Sequence, residues 1–115
     1  MPPLAPRISA QPQEPVREGD FLTFRCESAG GNPAPRFHWA WENGTRVPDQ
    51  WHHEHPDPAA RGRTHSVLQW QARAGDHRAA LACHVWNPAL ARDEFLAVQT
   101  NRLNVRRTKK NYKNL

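Results

Sequence analysis

Long apolar runs are absent from this sequence, and cysteine, methionine and tyrosine are rare. Its 115 residues include two cysteines, one methionine and one tyrosine. No apolar stretch approaches the roughly 18 residues that cross a bilayer, so we expect no membrane span in this chain. The opening MPPLAPRISA lacks the basic start and apolar core of a secretory leader. If the protein is extracellular, we therefore expect a processed chain or a fragment of a longer one.

Motifs that carry catalysis or hold nucleotides are also missing. The sequence has no glycine-rich phosphate loop and no nucleophile elbow, and it contains only three serines. Six of its carboxylates fall in predicted turns or at predicted strand ends, where they are ordinarily solvated: Glu14, Glu18, Asp20, Asp76, Asp93 and Glu94. The sequence therefore predicts a protein that is not an enzyme and that needs no cofactor.

The net charge of +5 is concentrated at the C-terminal end. Residues 1–105 hold as many acidic as basic residues, so we expect no nucleic-acid partner for this part of the chain. A basic tail can bind heparan sulfate or another acidic surface by releasing counterions. The alternative is a disordered, solvated tail. The basic residues of the tail are Arg106, Arg107, Lys109, Lys110 and Lys113.

Alternation of apolar and polar residues predicts short strands throughout the chain. The 11 prolines are scattered, which suits strands with frequent turns, and no segment keeps a helical period over three turns. We predict strands over 7–10, 21–28, 36–42, 45–47, 64–72, 79–86 and 94–105, with a bulge near Thr100 or Asn101. Residues 48–62 show no usable period and are predicted to form a surface connection. This pattern predicts an all-β, antiparallel sandwich of two sheets with about seven or eight strands and Greek-key connections.

The two cysteines lie in two of the firmest predicted strands. Cys26 ends one alternating segment and Cys83 lies within another, with Trp39 on a strand between them. A disulfide that joins two facing strands, with an indole packed on it, would produce this pattern and would stabilise the fold by roughly 4 kcal/mol. The alternative is a pair of free buried thiols. In either case we expect an interior that includes Trp39, Leu68, Trp70 and Leu81.

An ordered set of short motifs resembles an immunoglobulin-superfamily domain. The set consists of Pro15-Val-Arg-Glu-Gly-Asp20 before Leu22-Thr-Phe-Arg-Cys26, Gly31-Asn-Pro33 before Phe37-His-Trp39, Asn43-Gly44, Ser66-Val-Leu68, Gly75-Asp76, and Leu81-Ala-Cys83 before Asn87-Pro88. It is most similar to constant-2 set domains of nectin, nephrin, kirre-type and sidestep-type receptors. Leu81 stands where many immunoglobulin domains have a tyrosine, which favours the constant-2 branch. The resemblance covers residues 7–105, with 1–6 as a linker and 106–115 as the tail.

This resemblance implies an extracellular recognition or spacer module of a cell-surface adhesion or receptor protein. The implied partner is a cell-surface or secreted protein, another immunoglobulin-superfamily member included, bound through a sheet face or through end loops. Candidate contact residues are His84 and Trp86, which point outward from one strand, and Trp41 near a strand end. A neighbouring side chain that covers Trp86 is the alternative. A glycosaminoglycan-binding module led by the tail is the alternative function.

Two further motifs are open to more than one interpretation. Asn43-Gly44-Thr45 fits the acceptor pattern for an N-linked glycan, and it also fits an ordinary hairpin turn. His52, His53 and His55 lie close together in the sequence and carry imidazoles that suit zinc or copper. A structural zinc site needs four fixed ligands, so we predict a solvated loop here and no metal.

Overall fold

The computed structural model describes residues 3–13, 15–30, 35–56, 63–90 and 95–107. Within these ranges the regular elements are strands and two single turns of 3₁₀ helix, at Asp49–Trp51 and Ala74–Asp76. None of the described segments forms an apolar helix long enough to cross a membrane. The strands are β1 Arg7–Ala10, β2 Val16–Arg17, β3 Phe21–Ala29, β4 Arg36–Trp41, β5 His52–Pro56, β6 Arg63–Gln71, β7 Leu81–Trp86, β8 Leu96–Gln99 and β9 Val105–Arg106.

The strands form two principal sheets and one short pair. One sheet has the antiparallel order β1-β3-β6-β5, and the other has the antiparallel order β4-β7-β8. Strands β2 and β9 pair in parallel, with Val16 beside Val105. The predicted all-β sandwich is thus confirmed, with this short parallel pair added to it.

The core lies between the inner faces of the two sheets. Alternate residues of β3 point inward, and those of β4 and β7 meet them from the other sheet. Cys26 of β3 and Cys83 of β7 form a disulfide with their Cα atoms 6.5 Å apart, so the predicted bridge between the sheets is confirmed. The largest fully buried side chains include Trp39, Phe24, Leu22, Leu68, Leu81 and Val85, and Trp70 is 6% exposed.

Trp39 lies at the centre of this core. It is the cross-strand neighbour of Cys83, so its indole belongs to the same inner face as the disulfide. The indole Nε1 donates a hydrogen bond of 2.9 Å to Oγ of Ser66, on the facing sheet. That hydroxyl lies 3.3 Å from Nδ1 of His52 and can donate to it. The buried N–H of the indole is therefore satisfied across the two sheets.

The prediction of a surface connection over residues 48–62 is wrong for residues 49–56. A 3₁₀ turn leads into β5, which pairs with β6 from His52 opposite Leu68 to Pro56 opposite Thr64. The sequence pattern did not predict β5, because its histidines and its proline weaken the alternation of apolar and polar residues. Pro56 is tolerated because β5 is an edge strand of its sheet. At an edge, the missing N–H of a proline need not remove a hydrogen bond between two strands.

The predicted single strand over 94–105 is interrupted. Strand β8 ends at Gln99, and the Thr100 N–H donates to the carbonyl of Leu81 at 2.8 Å. The chain then runs to β9 on a different partner, which is why the parity of Leu103 and Val105 differs from that of the residues before them. The predicted strand over 45–47 is reduced to one bridge, between Ala40 and Arg46.

Candidate recognition face

The outer surface of β4, β7 and β8 carries two rows of uncharged side chains. Trp39 and Cys83 point into the core, so their neighbours along each strand point outward. One row contains His38, His84 and Ala97, and the next contains Ala40, Ala82 and Gln99. We call the outer surface formed by these two rows, together with Trp86 and Phe95, the recognition face.

An aromatic cluster covers one end of the recognition face. Nε2 of His38 and Nδ1 of His84 are 2.8 Å apart, and the two rings meet nearly at right angles. The ring of Phe95 stacks on His84 with a centroid separation of 4.3 Å, and Phe95 is still 48% exposed. The cluster therefore offers an apolar, partly exposed surface with one histidine hydrogen-bonded to the other.

Burial keeps this histidine pair uncharged at neutral pH. Desolvation lowers the pKa of His38 to about 4, and the positive fields of His84, Arg46 and His52 add to that effect against the opposing carboxylate of Asp49. Desolvation also lowers the pKa of His84. At pH 7 one imidazole can therefore donate to the other without any repulsion between cations.

A shallow depression lies beside the histidine pair. Ala40 and Ala82 contribute the small side chains of its lining, and His38 and His84 stand at one side. At the other side Gln99 approaches Glu42, whose carboxylate is held by the guanidinium of Arg102 in a bidentate ion pair. Uncharged small residues thus lie between an aromatic cluster and a charged rim.

The outer surface of the other sheet is mostly polar, although Phe21 at the start of β3 is 79% exposed. Glu27 accepts a hydrogen bond of 2.7 Å from Arg7 and lies 3.9 Å from Arg25. Gln69 reaches Thr23 across the strand pair. Polar side chains that already pair with one another gain little from a protein partner. The recognition face is therefore the better candidate for binding.

A comparison with protein-family models identifies the family to which the chain belongs. The family model described as an immunoglobulin domain matches residues 5–87, which is more than half of the sequence. The chain belongs to the immunoglobulin family. Its four strands against three follow the order of a constant-type immunoglobulin domain.

Solved structures share the fold of this immunoglobulin domain. Rst D1-D2 superposes with a TM-score of 0.72 at 24% identity, over 93% of this chain and 50% of that one. The full ectodomain of mouse nectin-like molecule 4 gives a TM-score of 0.72 at 16% identity, over 92% and 35%. Bovine butyrophilin gives 0.60 at 17% identity, over 86% and 43%. No curated protein sequence is significantly similar to the chain.

The immunoglobulin domain spans half or less of each of these three structures. At such identities the likeness shows the fold alone. The family as a whole supplies recognition modules to the ectodomains of cell-surface proteins, and a disulfide between the sheets suits that oxidising environment. The partner of this immunoglobulin domain has to be argued from its own surface.

The residues predicted for binding fall in separate places. His84 and Trp86 lie on the recognition face, where Trp86 is 38% exposed. Trp41 has the inward parity of Trp39 and packs against Trp70 at the end of the sandwich. Asn43 is exposed in the turn after β4. Arg106 and Arg107 are exposed, and Lys109, Lys110 and Lys113 lie outside the described residues.

Two residues of the recognition face were missed by sequence reasoning. Phe95 falls within the predicted strand over 94–105, and His38 is an outward residue of the predicted strand over 36–42, but the sequence singles out neither as a contact residue. The shared outward parity of His38 and His84 was visible in the sequence, but their contact depends on the register between β4 and β7. That register joins residues 46 positions apart, which no local pattern specifies.

The predicted histidine loop of 51–57 has a different environment from the one expected. His52 is buried and points toward Ser66, whereas His53 is exposed on the other side of β5. Alternation along the strand therefore places the imidazole of His52 on the opposite side of β5 from that of His53. Among the residues that the structure describes, no three histidine, cysteine, aspartate or glutamate side chains are placed to hold a metal ion.

We expect the immunoglobulin domain to lose stability as the pH falls from about 6.5 toward 4. His38 has an ordinary pKa of 6.5 and a folded pKa of about 4, so the unfolded chain binds more protons in this window and acid favours unfolding. The lowered pKa values of His52 and His84 act in the same direction. Melting temperatures measured across this window should fall less for His38→Gln than for the wild type. Identical slopes for the two proteins would contradict a neutral, buried His38.

Asp76 titrates outside this window and does not obscure the result. Burial raises its pKa, but hydrogen bonds from Arg73 and from the indole of Trp70 outweigh burial and hold the pKa below its ordinary value of 3.8. The stability that this carboxylate contributes is present above pH 3.8 and is lost at lower pH. Arg102 lowers the pKa of Glu42 from 4.5, so this carboxylate adds to the slope near the acid end of the window, and the comparison with His38→Gln is what isolates the histidine.

Proposed function

We propose that this immunoglobulin domain is a non-enzymatic recognition module of a cell-surface adhesion or receptor ectodomain, and that it binds a second protein through the recognition face. The partly exposed aromatic surface of Phe95 stacked on His84, bordered by Arg36 and Arg46, is the observation that carries the proposal. Binding sites of this kind work by complementarity of shape and charge, so no chemical step is required.

The recognition face has the composition of a binding site with a central anchor. Phe95 and Trp86 expose aromatic area, and aromatic residues contribute a large share of the binding energy in many interfaces. The adjoining surface carries small side chains that project little from the sheet, so a flat partner can approach closely. These are the side chains of Ala40, Ala82 and Ala97. The ion pair of Glu42 with Arg102 at the edge suits a polar rim that contributes specificity more than affinity.

The fold and its bridge support an extracellular partner. Disulfides persist in secreted and cell-surface proteins and are rare in the cytosol. One of the similar structures is the full ectodomain of a nectin-like molecule, which consists of the domains Ig1 to Ig3. We therefore propose that the partner is another immunoglobulin-like ectodomain, bound through a flat sheet face. A second copy of this chain is one such ectodomain.

A binding screen with defined probes tests the proposal. The chain is displayed as a pentamer on beads and exposed to a panel of purified immunoglobulin-like ectodomains that includes the chain itself. We expect at least one member to bind and Ala97→Arg to weaken that binding by more than about 30-fold, because an unpaired charge would be buried within the interface. Ala97 is exposed on β8, so the substitution leaves the core intact.

Two control variants separate this proposal from the alternatives. Gln69→Arg places the same charge on the outer surface of the other sheet, and we expect it to bind like the wild type. A variant with Lys109, Lys110 and Lys113 replaced by glutamine should also bind normally and lose only retention on heparin. Binding that survives Ala97→Arg, that fails in the lysine variant, or that is missing across the whole panel would overturn the proposal.

A further inference from the structure

The turn after β4 places a glycan acceptor sequence next to a partly buried indole, that of Trp41. The N–H of Trp41 donates to the carbonyl of Thr45, and the N–H of Gly44 donates to the carbonyl of Trp41, both at 2.8 Å. Gly44 has a φ of 92°, in the left-handed region. These bonds define a hairpin loop that ends in a glycine bulge. The loop holds Asn43 two residues from Trp41 in a fixed geometry.

The side chain of Asn43 is oriented for modification. Its Oδ1 accepts a hydrogen bond of 2.9 Å from the N–H of Thr45, and the residue is exposed. Because a backbone N–H can pair only with the amide oxygen, Nδ2 lies on the opposite side of the amide group. Asn43-Gly44-Thr45 also has the residue types of the acceptor pattern for N-linked glycans.

Asn43 and Trp41 line the same depression at the end of the sandwich. Arg73, Asp76 and Ala80 are among the other residues that line it. The indole of Trp41 meets that of Trp70 edge to face, at 83° and 5.6 Å, and part of it stays exposed. Arg73 and Asp76 are joined by an ion pair of 3.0 Å beside it. The guanidinium of Arg73 lies over the Trp41 ring, 6.0 Å from its centroid, so a sugar that packs on this indole would displace or share that contact.

A pyranose ring is complementary to an aromatic surface next to polar groups. One face of the ring presents C–H groups, which pack on the electron-rich face of an aromatic ring. Its hydroxyl and acetamide groups project from the edge, where the polar side chains of Arg73 and Asp76 lie within the same depression. The first sugar attached to Asn43 is therefore close enough to contact the indole of Trp41.

We propose that Asn43 carries an N-linked glycan and that its first N-acetylglucosamine packs on the indole of Trp41 in this depression. In the transfer, a bond forms between Nδ2 of Asn43 and the anomeric carbon of the sugar. The bond from that carbon to the pyrophosphate of a lipid-linked oligosaccharide donor breaks. The amide loses one proton, and the lipid pyrophosphate leaves with the bonding electrons, so no oxidant or reductant is needed.

The modification would cover the end of the sandwich, next to the depression of the recognition face, which Trp41 also lines. Trp41 and Trp39 share the inward parity of β4, whereas His38 and Ala40 have the outward parity. The glycan lies over the end of the sandwich, on the side of Arg73 and Asp76. The inference shares with the proposed function the passage of the chain through the secretory pathway, and it does not depend on any binding partner.

A thermal comparison of glycosylated and unglycosylated protein tests the inference. The full chain is secreted from cultured mammalian cells behind a cleavable leader, and an endoglycosidase trims the glycan to a single N-acetylglucosamine. We expect the mass of one sugar on the wild type and on Thr45→Ser, and no sugar on Thr45→Ala. The sugar should raise the melting temperature by about 3–6 °C, because one added aromatic contact has an effect of that order in a small domain.

Two tryptophan variants identify the surface on which the sugar packs. The difference between glycosylated and unglycosylated protein should disappear in Trp41→Leu. It should persist in Trp51→Leu, which removes another indole next to Trp70 and Arg73. If Trp41→Leu is not secreted, ring-current shifts of the sugar protons in the wild type decide the question. An unoccupied Asn43, sugar protons at their free positions, or an equal temperature difference in Trp41→Leu would overturn the inference.

Discussion

Replacement of Trp39 by alanine is expected to lower the free energy of unfolding by about 3–5 kcal/mol, the range for emptying a buried aromatic site. The indole is fully buried, and it lies beside Cys83 on the inner face of β4. Its removal also leaves the hydroxyl of Ser66 without the N–H that it now accepts at 2.9 Å. A cavity and a lost buried hydrogen bond act together here, because rigid sheets on both sides prevent collapse. Urea unfolding followed by circular dichroism measures the loss.

Trp39→Phe and Trp41→Ala are the controls for this prediction. Phenylalanine keeps most of the packing and loses the N–H, so we expect a smaller loss than for alanine. Trp41 is only partly buried, so we expect Trp41→Ala to lower the free energy of unfolding by less than Trp39→Ala does. A larger loss in Trp41→Ala than in Trp39→Ala would show that the wrong tryptophan has been placed at the centre of the core.

Loss of the disulfide is expected to have an effect of similar size. Cys26 and Cys83 are 57 positions apart and join the two sheets, so the bridge constrains more than half of the described chain when it is unfolded. In the chain-entropy account a closed loop of this length contributes roughly 4 kcal/mol, and removal of native disulfides from small domains typically costs about 2–5 kcal/mol. Urea unfolding of Cys26→Ala/Cys83→Ala measures the loss.

The same double variant supplies the control for the bridge. Addition of a reductant should destabilise the wild type and leave the unfolding curve of the variant unchanged. Because alanine also shortens two buried side chains, Cys26→Val/Cys83→Ala tests how much of the loss comes from packing. Equal stability of oxidised and reduced wild type would show that the bridge does not hold the two sheets together.

The sequence by itself determined the strand content and the covalent bridge. Period-two alternation places Leu22, Phe24 and Cys26 on one face of a strand, and Leu81, Cys83 and Val85 on one face of another, whatever the rest of the chain does. Burial of those faces against each other follows from the hydrophobic effect, and it brings the chain's two cysteines, Cys26 and Cys83, onto facing strands. The residues predicted for the interior are buried for the same reason.

Only the tertiary structure decided which residues of different strands meet. His38 and His84 come together because β4 and β7 pair in one particular register, and β5 becomes a strand because β6 offers it an edge. The hydrogen bond from Trp39 to Ser66 crosses from one sheet to the other. These contacts join residues far apart in the chain. Their free energy depends on the packing of whole sheets, which local patterns of side chains do not specify.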